Sequence, residues 1–204
     1  MTAGELHVWP LVLAELPELL LPAAGAEECA RAERFVFEED RRRYLLSHRA
    51  LRAILGRVTG APLDFAQGEH GKPFLPGARE VQFNLSHSGD MAMVGVAMGV
   101  EVGVDIERLH SMPDYLAVAE RFFPASESSA LAVVEESQRE REFFRRWTRI
   151  EAVLKARGVG LFGAGAEADE NWTVAEIAAP EGYAAAVAAP RAGLAVKLRR
   201  FGDE

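Results

Sequence analysis

Cysteine is nearly absent from this chain, with Cys29 alone among 204 residues. A single thiol excludes an internal disulfide and is typical of a reducing compartment. Long apolar runs are also missing, because the leucine run at 19–21 is short and acidic residues precede it without a basic region. That pattern fits neither a signal peptide nor a membrane span, so we expect a cytoplasmic protein with no membrane partner.

Positive charge is in the minority as well. The 23 Lys and Arg residues face 31 Asp and Glu residues, which gives a formal net charge of −8 at pH 7. This balance argues against broad binding to nucleic acid, although a few well-placed cations suffice for a pocket that holds a phosphorylated ligand. The length fits one large domain or two small lobes around a shared core.

Hydrophobic periodicity predicts a mixture of strands and helices. The pattern indicates strands at 7–13, 81–85, 91–97, 171–188 and 193–201, and helices at 38–58 and from about 140 to Gly158. Residues 86–90 are predicted as the polar turn of a hairpin, and Ser126 or Ser128 is expected to cap a helix through the 130s. This order of elements favours an α+β fold over a parallel doubly wound sheet.

The most informative segment runs from Val100 to Glu107, where apolar residues occupy the even positions. Strict alternation is typical of a half-buried strand, on which Asp105 and Glu107 point the same way. Gly103 shares that face, and we expect it to leave open space beside the acids. Two neighbouring carboxylates repel each other unless a cation lies between them, which favours a hard divalent metal ion. Glu151, farther along the chain, is our candidate for a third acid.

Glu151 belongs to a predicted helix with an apolar seam formed by Phe143, Trp147, Ile150 and Leu154. Lys155 follows Glu151 by four residues, so the two side chains are neighbours on an adjoining face. A surface ion pair is one interpretation, and it would contribute only about 0.3–0.5 kcal/mol. The alternative is an acid that completes a metal site, with a lysine one turn away to meet a phosphate oxygen.

Further cationic and polar residues have two interpretations each. Arg43 lies on the inward stripe of its helix, where a guanidinium needs an anion, either an internal carboxylate or a ligand phosphate. The 71–73 turn carries Lys72, which is either solvated or bound to a ligand. Ser86 and His87 form either an exposed turn or an anion contact. A Ser-His-Asp hydrolase is disfavoured, because the chain has no Gly-x-Ser-x-Gly elbow.

Taken in order, these fragments resemble the 4′-phosphopantetheinyl transferases of the single-chain Sfp type, from about residue 38 to 161. The fragments are Gly71-Lys72-Pro73, Phe83-Asn84-Leu85-Ser86-His87-Ser88, Gly103-Val104-Asp105-Ile106-Glu107, Phe122-Phe123-Pro124 and Trp147-Thr148-x-x-Glu151-Ala152-x-x-Lys155-Ala156-x-Gly158-x-Gly160-Leu161. The resemblance implies two similar α+β lobes, residues 1–99 and 100–204, related by a pseudo-twofold axis with the active site in the cleft between them. It also implies a monomer, because one chain then supplies the interface that shorter relatives build by oligomerising.

The reaction implied by the resemblance moves the phosphopantetheine arm of coenzyme A onto a serine of an apo acyl or peptidyl carrier protein. Mg²⁺ would be the cofactor, held by Asp105, Glu107 and Glu151, while Lys155 would meet the diphosphate. Glu151 is also the candidate acceptor of the serine proton, directly or through a water that it orients. The remaining candidates are contacts to the phosphoadenosine end from Arg43, Lys72, Ser86 and His87, with Gly71 and Pro73 shaping the adenine pocket.

Two competing functions stay open at this point. A metal-dependent phosphohydrolase or nuclease would use the same acids and would need no protein acceptor. A degenerate protein would bind coenzyme A without turnover. The carrier-binding surface is also open, since the segment 111–133 provides either a docking surface or ordinary packing between the lobes.

Ile150 departs from the pattern of the resembled family, which usually has a lysine immediately before the helical glutamate. A cation near the phosphates is therefore missing, and Arg149 lies about 100° around the helix from it. We expect Ile150→Lys to lower the KM for coenzyme A in steady-state kinetics. An unchanged KM would show that this position does not contact the ligand.

Overall fold

The structure is a computed structural model that describes residues 1, 4–61, 63–68, 70–159, 172–190 and 195–202. Helices and strands are mixed along the chain, which confirms the α+β class. The elements are β1 (Glu5–Val12), α1 (Ala26–Ala32), α2 (Glu38–Thr59), β2 (Ala66–Gln67), β3 (Pro73–Phe74), β4 (Val81–Ser88), β5 (Met91–Met98), β6 (Gly103–Arg108), α3 (Tyr115–Phe122), α4 (Ala125–Ala132), α5 (Glu136–Arg157), β7 (Trp172–Glu176), β8 (Tyr183–Pro190) and β9 (Ala195–Leu198).

Two halves of the chain repeat the same arrangement. In the first half β1 pairs antiparallel with β5, and β5 with β4; in the second half β6 pairs antiparallel with β8, and β8 with β7. A 22-residue helix follows the first strand of each half, α2 or α5. Each long helix ends at a glycine in the left-handed region, Gly60 or Gly158. The two similar lobes expected from the sequence are thus present.

The lobes pack as four layers, in the order α2, first sheet, second sheet, α5. The first sheet is buried on both faces: Trp9 and Leu11 of β1 pack towards α2, while Leu6 and Val8 pack against the second sheet. Strand β9 pairs parallel with β1, so the end of the chain returns to the first sheet. The division into lobes at residues 99 and 100 stays a prediction; these two residues lie between β5 and β6, and β9, from the second half of the chain, belongs to the first sheet.

Side chains of β4 join the two sheets at the seam between the lobes. Three of them accept amide hydrogens from β6: Asn84 Oδ1 from Val104 at 2.8 Å, Ser86 Oγ from Ile106 at 3.4 Å and Ser88 Oγ from Arg108 at 3.1 Å. The spacing of two residues on each strand follows from the period of a β-strand, which places alternate side chains on one face. This side-chain ladder sets the position of the acidic strand relative to the hairpin.

Several boundaries differ from the sequence prediction. Strand β4 continues through Ser88, because the hairpin turns tightly at Gly89, which has a positive φ of 55°. Ser86 therefore lies on a buried strand rather than in an exposed tip. Ser126 and Ser128 do not cap a helix; both lie inside α4, which begins directly after a proline whose fixed φ suits a helix start. The predicted strand at 171–188 is two strands, and residues 171, 193 and 194 lie outside the described part of the chain.

The prediction of open space beside Gly103 is wrong. Helix α5 lies directly against this glycine, so that an added Cβ would overlap the carbonyl oxygen of Ala152 and the amide nitrogen of Ala156 and would lie 2.9 Å from the Cβ of Ala156. The alanines leave the helix backbone free to approach the strand, and only glycine fits on the strand at that distance.

We expect Gly103→Ala to destabilise the protein, because the methyl group must push α5 away from β6; overpacking of this kind costs about 1–3 kcal/mol or more. The measurement is the midpoint of urea unfolding. Gly56→Ala is the matched control, because Gly56 lies inside α2 with nothing within 4 Å of an added Cβ. That control should gain up to about 1 kcal/mol from helix propensity. Equal stability of Gly103→Ala and the wild type would refute the close approach.

Candidate active site

Asp105 lies at the centre of the seam between the lobes. It is fully buried on β6, and its Oδ1 accepts a hydrogen bond from Ser86 Oγ at 2.9 Å and pairs with the ammonium of Lys155. Lys155 Nζ also donates to Ser86 Oγ at 3.0 Å. The second oxygen, Oδ2, is buried with no hydrogen-bond partner among the described residues. A buried carboxylate needs such compensation, because removal from water strongly penalises its charge.

Glu107 lies two residues beyond Asp105 on the same face of β6. Its Oε2 accepts a hydrogen bond from Ser88 Oγ at 2.7 Å. Burial raises the pKa of Glu107, and the negative charge of Asp105 raises it further. The two acids of the strand are therefore close enough to interact, as the alternation in the sequence predicts.

Glu151 reaches the same region from α5. Its Oε1 is buried and has no hydrogen-bond partner within the described ranges. Burial raises its pKa; the charges of Asp105 and Glu107 act in the same direction, while the nearby ammonium of Lys155 opposes them. The structure thus brings together all three acids and the lysine, although Glu151 is more than 40 positions from Glu107 in the chain.

The residues present fit a hard divalent cation in their chemistry. No group of three His, Cys, Asp or Glu side chains in the described part of the chain has the arrangement of a metal site. However, Asp105 Oδ2 and Glu151 Oε1 are buried oxygen donors without a partner, and carboxylate oxygens are the ligands that Mg²⁺ prefers. The Lys155 ammonium supplies the positive charge beside Asp105 instead.

His87 lies in a group of aromatic rings on the other side of β4. Its ring centroid is 6.2 Å from that of Tyr44 and 6.4 Å from that of His48, and both partners lie on α2. The side chain of His87 keeps some exposed surface, but many protein atoms surround its ring. This desolvation is the main cause that lowers the pKa of His87 to about 4. The charge of Lys155, and that of His48 whenever it is protonated, acts in the same direction. His87 is therefore neutral at pH 7.

Arg43 has internal carboxylate partners, which is one of the two alternatives left open by the sequence. Its guanidinium donates to Asp90 Oδ1 at 2.6 and 2.9 Å and to Glu39 Oε1 at 2.7 Å. The hydrogen bond to Asp90, at the hairpin turn, is the main cause that raises the pKa of Arg43. Asp90 also donates its amide hydrogen to the hydroxyl of Tyr183, at 3.1 Å. Arg43 thus anchors the hairpin turn, which the second lobe also contacts.

Lys72 lies at the end of α5 rather than beside the acids. Its Nζ donates to the carbonyl oxygen of Ala156 at 2.7 Å and pairs with Glu101. Gly71 precedes it with a φ of 81°, a conformation that favours glycine. Pro73 begins β3, the short strand that pairs with β2. The 71–73 turn therefore contacts the C-terminus of α5 in the second lobe and leads into the small β2–β3 sheet of the first lobe.

A basic cleft of about 560 Å³ lies beside β2 and was missed by the sequence analysis. It is lined by Glu27, Arg31 and Arg34 on one side and by Phe65 and Gln67 on the other, so its two arginines outnumber its one acid. Arg31 also lies over the ring of Tyr44, 5.8 Å from its centroid, so the cleft adjoins the ring group around His87. Two arginines three positions apart, one in the last turn of α1 and one just after it, are a weak signal in the sequence, and only folding brings them to β2.

The segment 111–133 packs mainly within the second lobe. Phe123 stacks on Phe143 with 5.3 Å between ring centroids, and Phe122 contacts Trp147 edge to face. Ile150 is partly buried against the same cluster. These aromatic side chains therefore pack in the ordinary way, within the second lobe. The apolar seam of α5 packs against them.

Fold and site together define a two-lobed α+β protein whose central acids and adjoining cations suit the chemistry of a phosphorylated ligand. No described helix combines the length and apolar character that crossing a membrane requires.

Known families match both halves of the chain. The profile described as 4′-phosphopantetheinyl transferase, N-terminal, matches residues 16–98, and that of the 4′-phosphopantetheinyl transferase superfamily matches residues 101–188.

Curated relatives agree with these profiles. The 4′-phosphopantetheinyl transferase HetI of Nostoc sp. is 37% identical over 172 residues, which cover 79% of this chain and 72% of the relative. Psf-1 of Bacillus pumilus is 39% identical over 147 residues, 71% of this chain and 62% of the relative. Sfp of Bacillus subtilis is 30% identical over 147 residues, 71% and 64%. The chain therefore belongs to the 4′-phosphopantetheinyl transferase family and is similar to its Sfp type, while it spans less than two thirds of psf-1 and Sfp.

We expect the metal-free protein to lose stability as pH rises, because Glu151 and Glu107 have raised pKa values in the folded state. A carboxyl group of this kind binds its proton more tightly when folded. Its contribution to stability is therefore complete below the ordinary carboxyl pKa and is lost as pH rises through the folded pKa. Glu151→Gln should raise the Tm at pH 8 by a few degrees and change it little at pH 4.

Thermal melts in EDTA at several pH values provide the measurement. Glu120→Gln is the matched control, since Glu120 is exposed on α3. A Tm gain for Glu151→Gln that is the same at both pH values would contradict the assigned electrostatics.

Proposed function

We propose that this protein transfers the 4′-phosphopantetheine arm of coenzyme A to a serine hydroxyl of an apo carrier protein, acyl or peptidyl, and releases adenosine 3′,5′-bisphosphate. The observation that supports this function best is the cluster of Asp105, Glu107, Glu151 and Lys155 at the seam between two lobes. Buried acids and an ammonium at one point suit a reaction in which negative charge moves between phosphoryl oxygens. We also propose a monomer, because both lobes lie in one chain.

In the proposed reaction the serine oxygen of the carrier forms a bond to the β-phosphorus of coenzyme A. The bond between that phosphorus and the oxygen of the adenosine bisphosphate breaks, and the bisphosphate leaves with the bonding electrons. The serine proton passes to Glu151, or to a water that Glu151 orients, and the unpartnered Oε1 of Glu151 suits this role. Glu151 then returns the proton to solvent.

Lys155 is proposed to stabilise the charge on the diphosphate. Its ammonium lies between Ser86 and Asp105 in the structure, and an ammonium beside phosphoryl oxygens makes charge-assisted hydrogen bonds. Asp105, Glu107 and Glu151 would hold Mg²⁺. When bound, Mg²⁺ supplies a positive charge that neutralises the diphosphate and orients it.

The phosphoadenosine end of coenzyme A is proposed to bind along the edge of the first lobe. Lys72, with Gly71 and Pro73 on its turn, would lie at one end of this path, and His87 and Arg43 at the other. Ser86 would link this path to the acids, because its hydroxyl already contacts Lys155 and Asp105. The basic cleft between Arg31 and Phe65 supports this placement, since its two arginines outnumber Glu27 and Phe65 adds an aromatic surface.

The decisive experiment is intact mass spectrometry of apo acyl-carrier and peptidyl-carrier proteins incubated with the protein, coenzyme A and Mg²⁺. We expect a gain of one phosphopantetheine group. Asp105→Asn, which keeps the volume of this buried side chain, should lose at least about 10-fold in rate, as expected when a ligand of the metal is weakened. EDTA should abolish the gain.

Glu181→Gln is the control, because Glu181 is exposed in the turn before β8 and lies outside the segment 111–133; it should keep the wild-type rate. If coenzyme A is cleaved without modification of a carrier, the protein is a phosphohydrolase instead. If coenzyme A binds and neither reaction occurs, the protein is a degenerate binder and the proposal fails.

A further inference from the structure

Ser86 and Ser88 of β4 make the same pair of hydrogen bonds to β6. The two serines are two residues apart on β4, and their partners are two residues apart on β6. Ser86 Oγ donates to the carboxylate of Asp105 at 2.9 Å and accepts from the amide of Ile106 at 3.4 Å. Ser88 Oγ donates to the carboxylate of Glu107 at 2.7 Å and accepts from the amide of Arg108 at 3.1 Å. Each hydroxyl thus joins a carboxylate to the backbone amide of the next residue.

This double contact determines the direction of the hydroxyl hydrogen. A serine hydroxyl has one hydrogen and two lone pairs, and its hydrogen otherwise rotates freely. When a backbone amide donates to the oxygen, the remaining hydrogen points away from that amide, which is towards the carboxylate here. A strand amide is a rigid reference point, so the carboxylate is positioned by the sheet itself.

Glu107 has more to gain from this contact than Asp105. The glutamate side chain is longer and loses more rotamer freedom when it is held in one conformation. Asp105 is fully buried and also pairs with Lys155, whereas Glu107 is only partly buried. Oxygen Oε2 of Glu107 is held by Ser88 before any ligand arrives, which reduces the ordering cost of binding.

Asn84 is the third member of the ladder, and a variant of it can distinguish positioning of the acids from a purely structural role. Its Oδ1 accepts the amide hydrogen of Val104 at 2.8 Å. Asn84 therefore supports the alignment of β4 with β6 without a contact to the acids, since its rung ends on a backbone amide next to Gly103. Loss of the ladder and loss of carboxylate positioning are thus two effects that variants can separate.

We propose that Ser88 is a positioning residue that orients the Glu107 carboxylate for the divalent cation of this site. The inference rests on the proposed function, because it takes Glu107 as a ligand of that cation. Ser88 touches neither the phosphates nor the acceptor in this role; it acts through Glu107. The same geometry gives Ser86 the corresponding role towards Asp105.

The test is the affinity of the full chain for Mn²⁺, measured by electron paramagnetic resonance of the free ion, first with the metal alone and then with coenzyme A. Ser88→Ala should raise the Kd for Mn²⁺ by about 10–100-fold, the usual effect of removing a group that orients a metal ligand. Ser88→Thr keeps the hydroxyl and should restore affinity close to that of the wild type.

Three controls make the outcome specific. Ser111→Ala removes an exposed serine and should leave the Kd unchanged. Asn84→Ala should lower the Tm and leave the Kd nearly unchanged, because it removes a hydrogen bond to the backbone amide of Val104 and none to the acids. In a Glu107→Gln background, Ser88→Ala should have no further effect on the Kd, as a double-mutant cycle requires of two groups that act through one contact.

An unchanged Kd for Ser88→Ala would overturn the inference, and so would an equal loss of affinity in Ser88→Ala and Ser88→Thr, which would indicate packing rather than positioning. Failure of the underlying function looks different. If the wild type binds no Mn²⁺ with or without coenzyme A, the proposed metal site itself is wrong. If Ser88→Ala does not fold, Ser88→Val takes its place, because valine has the shape of threonine without the hydroxyl. Only Ser88→Val should then lose affinity, and equal affinity of Ser88→Val and Ser88→Thr would overturn the inference.

Discussion

The backbone of α5 rests directly on β6 at Gly103, and the position of the site depends on this contact. A helix normally stands off from a sheet by the length of its side chains. Here glycine on the strand faces Ala152 and Ala156 on the helix, so the two backbones approach each other closely. The neighbouring helical residues, Glu151 and Lys155, are thereby carried over the acidic face of the strand.

The close packing of α5 on β6 buries the charge of Asp105, and neighbouring side chains compensate for it. Asp105 is fully buried, and burial of a carboxylate without partners would cost several kcal/mol. Lys155 and Ser86 supply a cation and a hydrogen bond. The other two acids are compensated less completely, which is why their pKa values are raised. A site left with unpartnered acidic oxygens is one that a cationic ligand would stabilise.

The seam between the lobes is held by polar groups rather than by apolar packing alone. The ladder from Asn84 to Ser88 aligns β6 with the hairpin, and Tyr183 of the second lobe contacts the turn to which Arg43 is anchored. Hydrogen bonds are directional, whereas apolar contact is not. The seam therefore specifies the register between the lobes, and register decides which side chains of β4 face which acids.

Local pattern was sufficient for the strand that carries the acids and for the two long helices. Alternation placed Val104 and Ile106 in the core and the acids opposite them, and α2 and α5 begin and end close to where the periodicity and the glycine signals indicate. The order of short motifs was sufficient for the family. The hairpin turn at 86–90 was misjudged, because polar residues on a buried strand resemble a turn until their partners on β6 are known.

By itself, the sequence determined the α+β class, the shared face of Asp105 and Glu107 and the membership of the 4′-phosphopantetheinyl transferase family, since each depends on residues close in the chain or on their order. Only the tertiary structure decided that Glu151 and Lys155 reach those acids, that Ser88 contacts Glu107, and that Gly103 is filled by a helix rather than open. These facts depend on distances between elements far apart in the chain, which are set by packing and not by local periodicity.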